Sequence, residues 1–102
     1  DMYINTAEEI SGIPSSWPGY TLENGSSGAK VRQLQEQLNV IAGAYPALPK
    51  IQTDGEYGPA TAEAVRKFQE IFCLPQTGTV DYRTWYKISQ IYVGVSRIAE
   101  LN

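Results

Sequence analysis

Three carboxylates stand beside two glycine turns, Asp54 and Glu56 around Gly55 and Asp81 after Gly78. A pair of carboxylates is all the acid–base machinery that glycosidic hydrolysis requires. Each also has a structural reason to be where it is. The aspartate of an Asp-Gly turn accepts backbone N–H bonds, and Asp81 occupies the position of a helix N-cap. Other catalytic chemistries lack their parts. The chain has no histidine, which removes Ser-His-Asp and Cys-His arrangements, and no GxSxG elbow presents Ser15, Ser16, Ser26 or Ser27. Cys73 is the single cysteine, without a disulfide partner or the His and Cys companions of a zinc site, so no metal is expected. Neither GxxxxGK(S/T) nor GxGxxG occurs, and the short Gly-rich run at 25–28 lacks the lysine, so no nucleotide cofactor is expected. Recognition remains: aromatics make up 11% of the chain and seven of them are Tyr, whose ring stacks on sugar faces while its hydroxyl bonds to polar groups.

These residues need a scaffold, and the stretch 54–69, DGEYGPATAEAVRKFQ, supplies its centre. Asp54-Gly55 makes a turn, Gly58 stands at an N-cap, and Pro59 suits a first helical position, where its missing N–H costs nothing. Thr61, Ala64, Val65, Phe68 and Phe72 then recur at three- and four-residue steps as one apolar stripe, with Glu63, Arg66, Lys67 and Glu70 away from it. The pattern returns 23 positions later, Gly55, Tyr57, Gly58 and Thr61 reappearing as Gly78, Val80, Asp81 and Thr84. A fainter echo upstream places Gly28 and Val31 as Gly58 and Thr61. Three helices are therefore expected to begin from related turns.

The first runs from Ala29 to about Ile41, with Val31, Leu34, Leu38 and Ile41 on one face and an end at Gly43. Pro46 and Pro49 make the following segment a loop, pinned by Tyr45, Leu48 and Ile51. The third helix runs from Tyr82 to about Val93, carrying Trp85, Ile88, Ile91 and Tyr92, with Gly94 interrupting it before a further helical turn. Upstream, Thr6 to Glu9 has capping-box form and suggests a short helix ended by Gly12, while residues 13–20 read as a linker whose Trp17 packs onto the domain. Ala7-Glu8 resembles Ala99-Glu100, a hint of tandem copies.

A chain of 102 residues with 42% hydrophobic and 19% charged residues makes one globular domain. Its net charge of −3 and scattered basic residues argue against nucleic acid. No run of 18 apolar residues occurs, so no membrane insertion is expected, and the N-terminus lacks a signal-peptide pattern. Beginning at Asp1, the chain is expected to be a piece of a longer protein with its export signal elsewhere.

The residues Gly25-Ser26-Ser27-Gly28, Val31, Leu34-Gln35 and Leu38, followed by Asp54-Gly55-x-Tyr57-Gly58-x-x-Thr61, Ala64-Val65, Phe68-Gln69, Leu74, Gly78 and Thr84-Trp85, resemble the peptidoglycan-binding domain common in bacterial cell-wall hydrolases. The resemblance runs from about Leu22 to Tyr92 and departs at Cys73, where that family usually has glycine before Leu74. It implies an all-α fold, a compact three-helix orthogonal bundle at 22–102, with an N-terminal extension or linker at 1–21. It implies a non-catalytic module, a monomer, that anchors a fused hydrolase or structural domain, or tandem copies, to the glycan or peptide of the bacterial cell wall or spore cortex outside the cell. The candidate ligand contacts are Asp54, Tyr57, Arg66, Gln69, and Tyr82 and Tyr86 on the third helix, and a cleft beside the DGEYG turn is expected to read sugar or peptide. Competing structural roles are a core position for Tyr57, a turn-to-helix hydrogen bond for Gln35 and Gln69, and a solvated face for Arg66 and Lys67. The alternative is an interaction, spacer or pro-segment domain without glycan binding. A related three-helix domain precedes the catalytic part of matrix metalloproteinases, but Cys73 lacks the cysteine-switch surroundings found there.

Overall fold

The computed structural model describes residues 17–101. The short helix expected at Thr6 to Gly12 lies outside them. Three α-helices follow in order, α1 (Ala29–Ala44), α2 (Pro59–Ile71) and α3 (Tyr82–Leu101). No strand occurs among the described residues, only two isolated antiparallel bridges, Leu22 with Val80 and Ser27 with Glu56. The fold is the expected all-α bundle of three helices.

The stripes meet in one core. Val31, Leu34, Leu38 and Ile41 of α1, Ala64, Val65 and Phe68 of α2, and Trp85 and Ile88 of α3 are buried together, joined by Leu48 from the proline loop. Leu22 and Val80 exchange both backbone hydrogen bonds, at 2.8 and 3.0 Å, and both side chains are fully enclosed. Burial of nine or more large apolar side chains at about 1.5–3 kcal/mol each is what holds helices this short together, since isolated helices of this length are marginal in water.

Capping explains the starts. Gly58 is the N-cap of α2 with Pro59 inside it, and Asp81 Oδ1 accepts the Thr84 N–H at 3.0 Å to cap α3. Two ends differ from expectation. α1 does not stop at Gly43 but runs to Ala44, where the Tyr45 N–H still reaches the Ile41 carbonyl at 2.9 Å. An exposed glycine costs a helix only about 1 kcal/mol, whereas Pro46 disfavours helical geometry at the residue before it. For the same reason Gly94 does not interrupt α3, which is continuous from Tyr82 to Leu101.

α2 ends in a Schellman motif. The Leu74 N–H donates to the Gln69 carbonyl at 2.8 Å and the Cys73 N–H to that of Glu70 at 3.4 Å. This geometry puts Cys73 at φ 61°, the left-handed region that a glycine would occupy without strain. The backbone at this position is thus the one a glycine favours, carried here by a cysteine. Trp17 packs as expected, edge-on to Tyr82 at 5.7 Å and to Trp85 at 6.0 Å between ring centroids.

Candidate functional site

α1 carries two side-chain amides one turn apart, Gln35 and Asn39, and both hold the segment that precedes α2. Asn39 bonds both backbone groups of Ile51, its Nδ2 donating to the carbonyl at 2.7 Å and its Oδ1 accepting the N–H at 2.8 Å. Gln35 is fully enclosed. Its Oε1 accepts the Gly55 N–H at 2.8 Å, and its Nε2 faces the Glu56 carbonyl and Thr61 Oγ1, both at 3.0 Å, and Asp54 Oδ1 at 3.2 Å. A buried amide left unpaired costs about 1–3 kcal/mol, so this set of partners fixes the turn geometry. Gly55 itself must be glycine: its φ is 78°, and a Cβ there would lie 3.3 Å from the Gly28 carbonyl oxygen.

Between the held segment and the start of α2 opens a cleft of about 240 Å³, lined by Ile51, Gln52, Asp54, Glu56, Gly58, Pro59, Ala60 and Thr61. Asp54 Oδ1 accepts the Glu56 N–H at 3.0 Å. That backbone donor, followed by the Gln35 amide, holds the Asp54 carboxyl below its ordinary value of 3.8, so it is an anion at any physiological pH.

The second turn is built the same way. Gln69, also enclosed, accepts the Gly78 N–H at 2.9 Å and faces the Thr79 carbonyl at 3.0 Å and Thr84 Oγ1 at 3.1 Å. Thr77 Oγ1, at 3.1 Å, takes the place that Asp54 has in the first turn. The expected tie of turn to helix by Gln35 and Gln69 is therefore present at both sites.

The six candidate residues fall in different places. Of them only Asp54 lines the cleft. Tyr57 is buried, its hydroxyl donating to the Gly78 carbonyl at 2.6 Å, and burial pushes its ionisation well above the ordinary 10.0 against an opposing pull from Arg66. Neither Tyr57 nor Gln69 presents an open polar atom to a ligand, because the turns use those atoms. Arg66 is half-exposed, pairs with Glu63 at 2.9 Å, and lies against Gly78, where a Cβ would come within 2.8 Å of its guanidinium. Tyr82 and Tyr86 stack on each other at 6.2 Å along the exposed side of α3. Glu56, singled out in the sequence as a carboxylate beside the turn, also lines the cleft, while the cleft residues Ile51, Gln52 and Pro59 and the clamp residue Asn39 are further members that sequence reasoning missed. The signal for Asn39 was its spacing of four from Gln35, which puts two amides on one helix face beside a proline-bearing loop.

Both turns, both glutamines and every residue lining the cleft fall within residues 27–88, and this segment, more than half of the chain, matches the family described as "Putative peptidoglycan binding domain". The chain belongs to that family. Among relatives, this peptidoglycan-binding domain is 43% identical over 77 residues to the zinc D-Ala-D-Ala carboxypeptidase of Streptomyces albus G, covering 74% of the chain and 28% of that protein. It is 55% identical over 31 residues, 30% of the chain and 4% of the relative, to the uncharacterized protein YbfG of Bacillus subtilis (strain 168). The domain thus spans only a small part of the curated relatives it matches. Among solved structures the SleB N-terminal domain superposes with a TM-score of 0.64 at 29% identity, covering 74% of this chain and 97% of that one.

Proposed function

We propose that this chain is a non-catalytic peptidoglycan-binding module of a cell-wall enzyme or structural protein. The observation that carries the reading is the family membership of residues 27–88, the segment that builds both clamped turns and the cleft. The match to 28% of a zinc D-Ala-D-Ala carboxypeptidase is what a module appended to a separate catalytic part would give. We assign residues 22–102 to the module and 1–21 to an extension, with a fused catalytic domain or tandem copies as partners and the bacterial wall or spore as location. Ligand contact falls to exposed groups, the cleft with Asp54, and Arg66 and the Tyr82–Tyr86 pair outside it. A shallow cleft and a flexible ligand set the affinity of one site at about 0.1 to 1 mM, so retention on the wall relies on the repeating polymer.

Sedimentation with purified, protein-free peptidoglycan sacculi tests this. The parent chain should pellet with the wall, and a folded Glu56→Ala, Arg66→Ala or Tyr82→Ser variant should pellet less. Parent protein that stays in solution at high wall loading removes the reading and directs the search to protein partners.

A further inference from the structure

Within the wall-binding reading, on which this inference rests, the geometry points to a single ligand class for the cleft: a peptide arm that ends in a primary amino group. At about 240 Å³ this open cleft is smaller than typical small-molecule sites, a size that suits a side arm. Its polar lining is one-signed. Asp54 and Glu56 are carboxylates, and no lysine or arginine lines the cleft. Asp54 uses Oδ1 for the turn and leaves Oδ2 without a hydrogen-bond partner among the described residues, and the Glu56 carboxylate has none either. Asp54 remains ionised because the Glu56 N–H and Gln35 favour its anion. A carboxylate entering here would meet two like charges, whereas an ammonium would gain charge-assisted hydrogen bonds. Of the remaining lining, Gln52 and Thr61 are polar but uncharged, and Ile51, Pro59 and Ala60 are apolar and suit the methylene stem that carries such an amine. Amide formation at that amine removes both its charge and its fit, so the cleft distinguishes free amino arms of the wall peptide from acylated or cross-linked ones.

The test compares sacculi whose free amino groups have been quantified with the same sacculi after N-acetylation, using the full chain and the variants Asp54→Asn, Glu56→Gln and Glu36→Gln. Glu36 lies on the exposed face of α1, paired with Arg32 at 3.5 Å, and changes net charge identically at a distance from the cleft. The expected result is that acetylation lowers retention of the parent and of Glu36→Gln about threefold to fivefold, the range of a partly exposed ion pair, while Glu56→Gln and Asp54→Asn bind both walls alike. Equal retention of the parent on both walls overturns the inference and leaves wall binding standing. An equal acetylation effect in all four proteins also overturns it, since the wall's overall charge then accounts for the loss. Retention of the parent on neither wall overturns both this inference and the function on which it rests.

Discussion

The hydroxyl of Tyr57, in the first turn, donates to the carbonyl of Gly78, in the second, at 2.6 Å. The two repeats of turn and helix start are thereby joined by one buried hydrogen bond.

Replacing Tyr57 by Phe keeps the ring and leaves the Gly78 carbonyl without that donor, which should cost about 1–2 kcal/mol in denaturant unfolding while wall binding at equal folded concentration is unchanged. A second signature follows from burial, which raises the folded-state ionisation of Tyr57 above its ordinary 10.0. The stabilisation this gives is complete below pH 10 and is lost as pH rises towards the folded value, because the unfolded chain releases the proton first. Alkaline unfolding curves of the parent should therefore lose this share of stability above pH 10, and those of Tyr57→Phe should not. Reduced wall binding by a folded Tyr57→Phe protein would instead return the hydroxyl to the ligand surface.

Gln35→Leu should be among the most damaging single changes in the chain. It strips partners from the Gly55 N–H, the Glu56 carbonyl and Thr61 Oγ1 at once. Unpaired buried groups of this kind make a loss of about 3 kcal/mol or more reasonable. Thermal unfolding within about 1 kcal/mol of the parent would show that the amide is dispensable to the turn.

Cys73→Gly should stabilise the chain by about 1 kcal/mol, since the left-handed φ of 61° strains a residue with a Cβ by roughly 1–2 kcal/mol and part of that relief offsets the freedom glycine adds to the unfolded chain. Cys73→Ala, which keeps the Cβ, should not share the gain. The denaturant midpoints of the three proteins decide the matter.

Asp54 gives a pH signature of the first turn. Its folded-state ionisation lies below the ordinary 3.8, so the stability it adds is present above that value and is lost as pH falls through the folded one. Asp54→Asn retains an acceptor but cannot ionise. Its deficit relative to the parent should be larger at pH 6 than in strong acid, and a deficit independent of pH would remove the charged role of this carboxylate.

Helix starts were legible because they are written in local chemistry: Pro59 inside the first turn of α2 and Asp81 three residues before the Thr84 N–H it accepts. The core stripes were legible from spacing, and Val31, Leu34, Leu38, Val65 and Phe68 are all enclosed. Ends were read less well. Gly43 and Gly94 are punctuation only where the next residues cannot continue a helix, and the proline loop after Ala44 decides the first case. The candidate contacts dispersed because sequence spacing does not say which polar atoms the fold itself consumes. Tyr57 and Gln69 look like ligand residues until their partners 21 and 9 positions away, both at Gly78, are known. The cleft was anticipated beside the DGEYG turn, but its far wall at Ile51 depends on Asn39, and a contact across 12 residues leaves no local mark.

The two glutamine clamps close chain segments of unequal length. Gln69 reaches Gly78 across 9 positions, and Gln35 reaches Gly55 across 20. Loop closure costs about 0.6 kcal/mol more for each doubling of length, so the shorter clamp forms against the smaller entropic barrier. The order of folding is thereby biased: α2, the second turn and the start of α3 can assemble as a local unit before α1 closes onto it. Pulsed hydrogen exchange during refolding should protect the Gly78 and Thr84 amides ahead of the Gly55 amide. A cleft that depends on the longer clamp would then be the last part of the molecule to take shape.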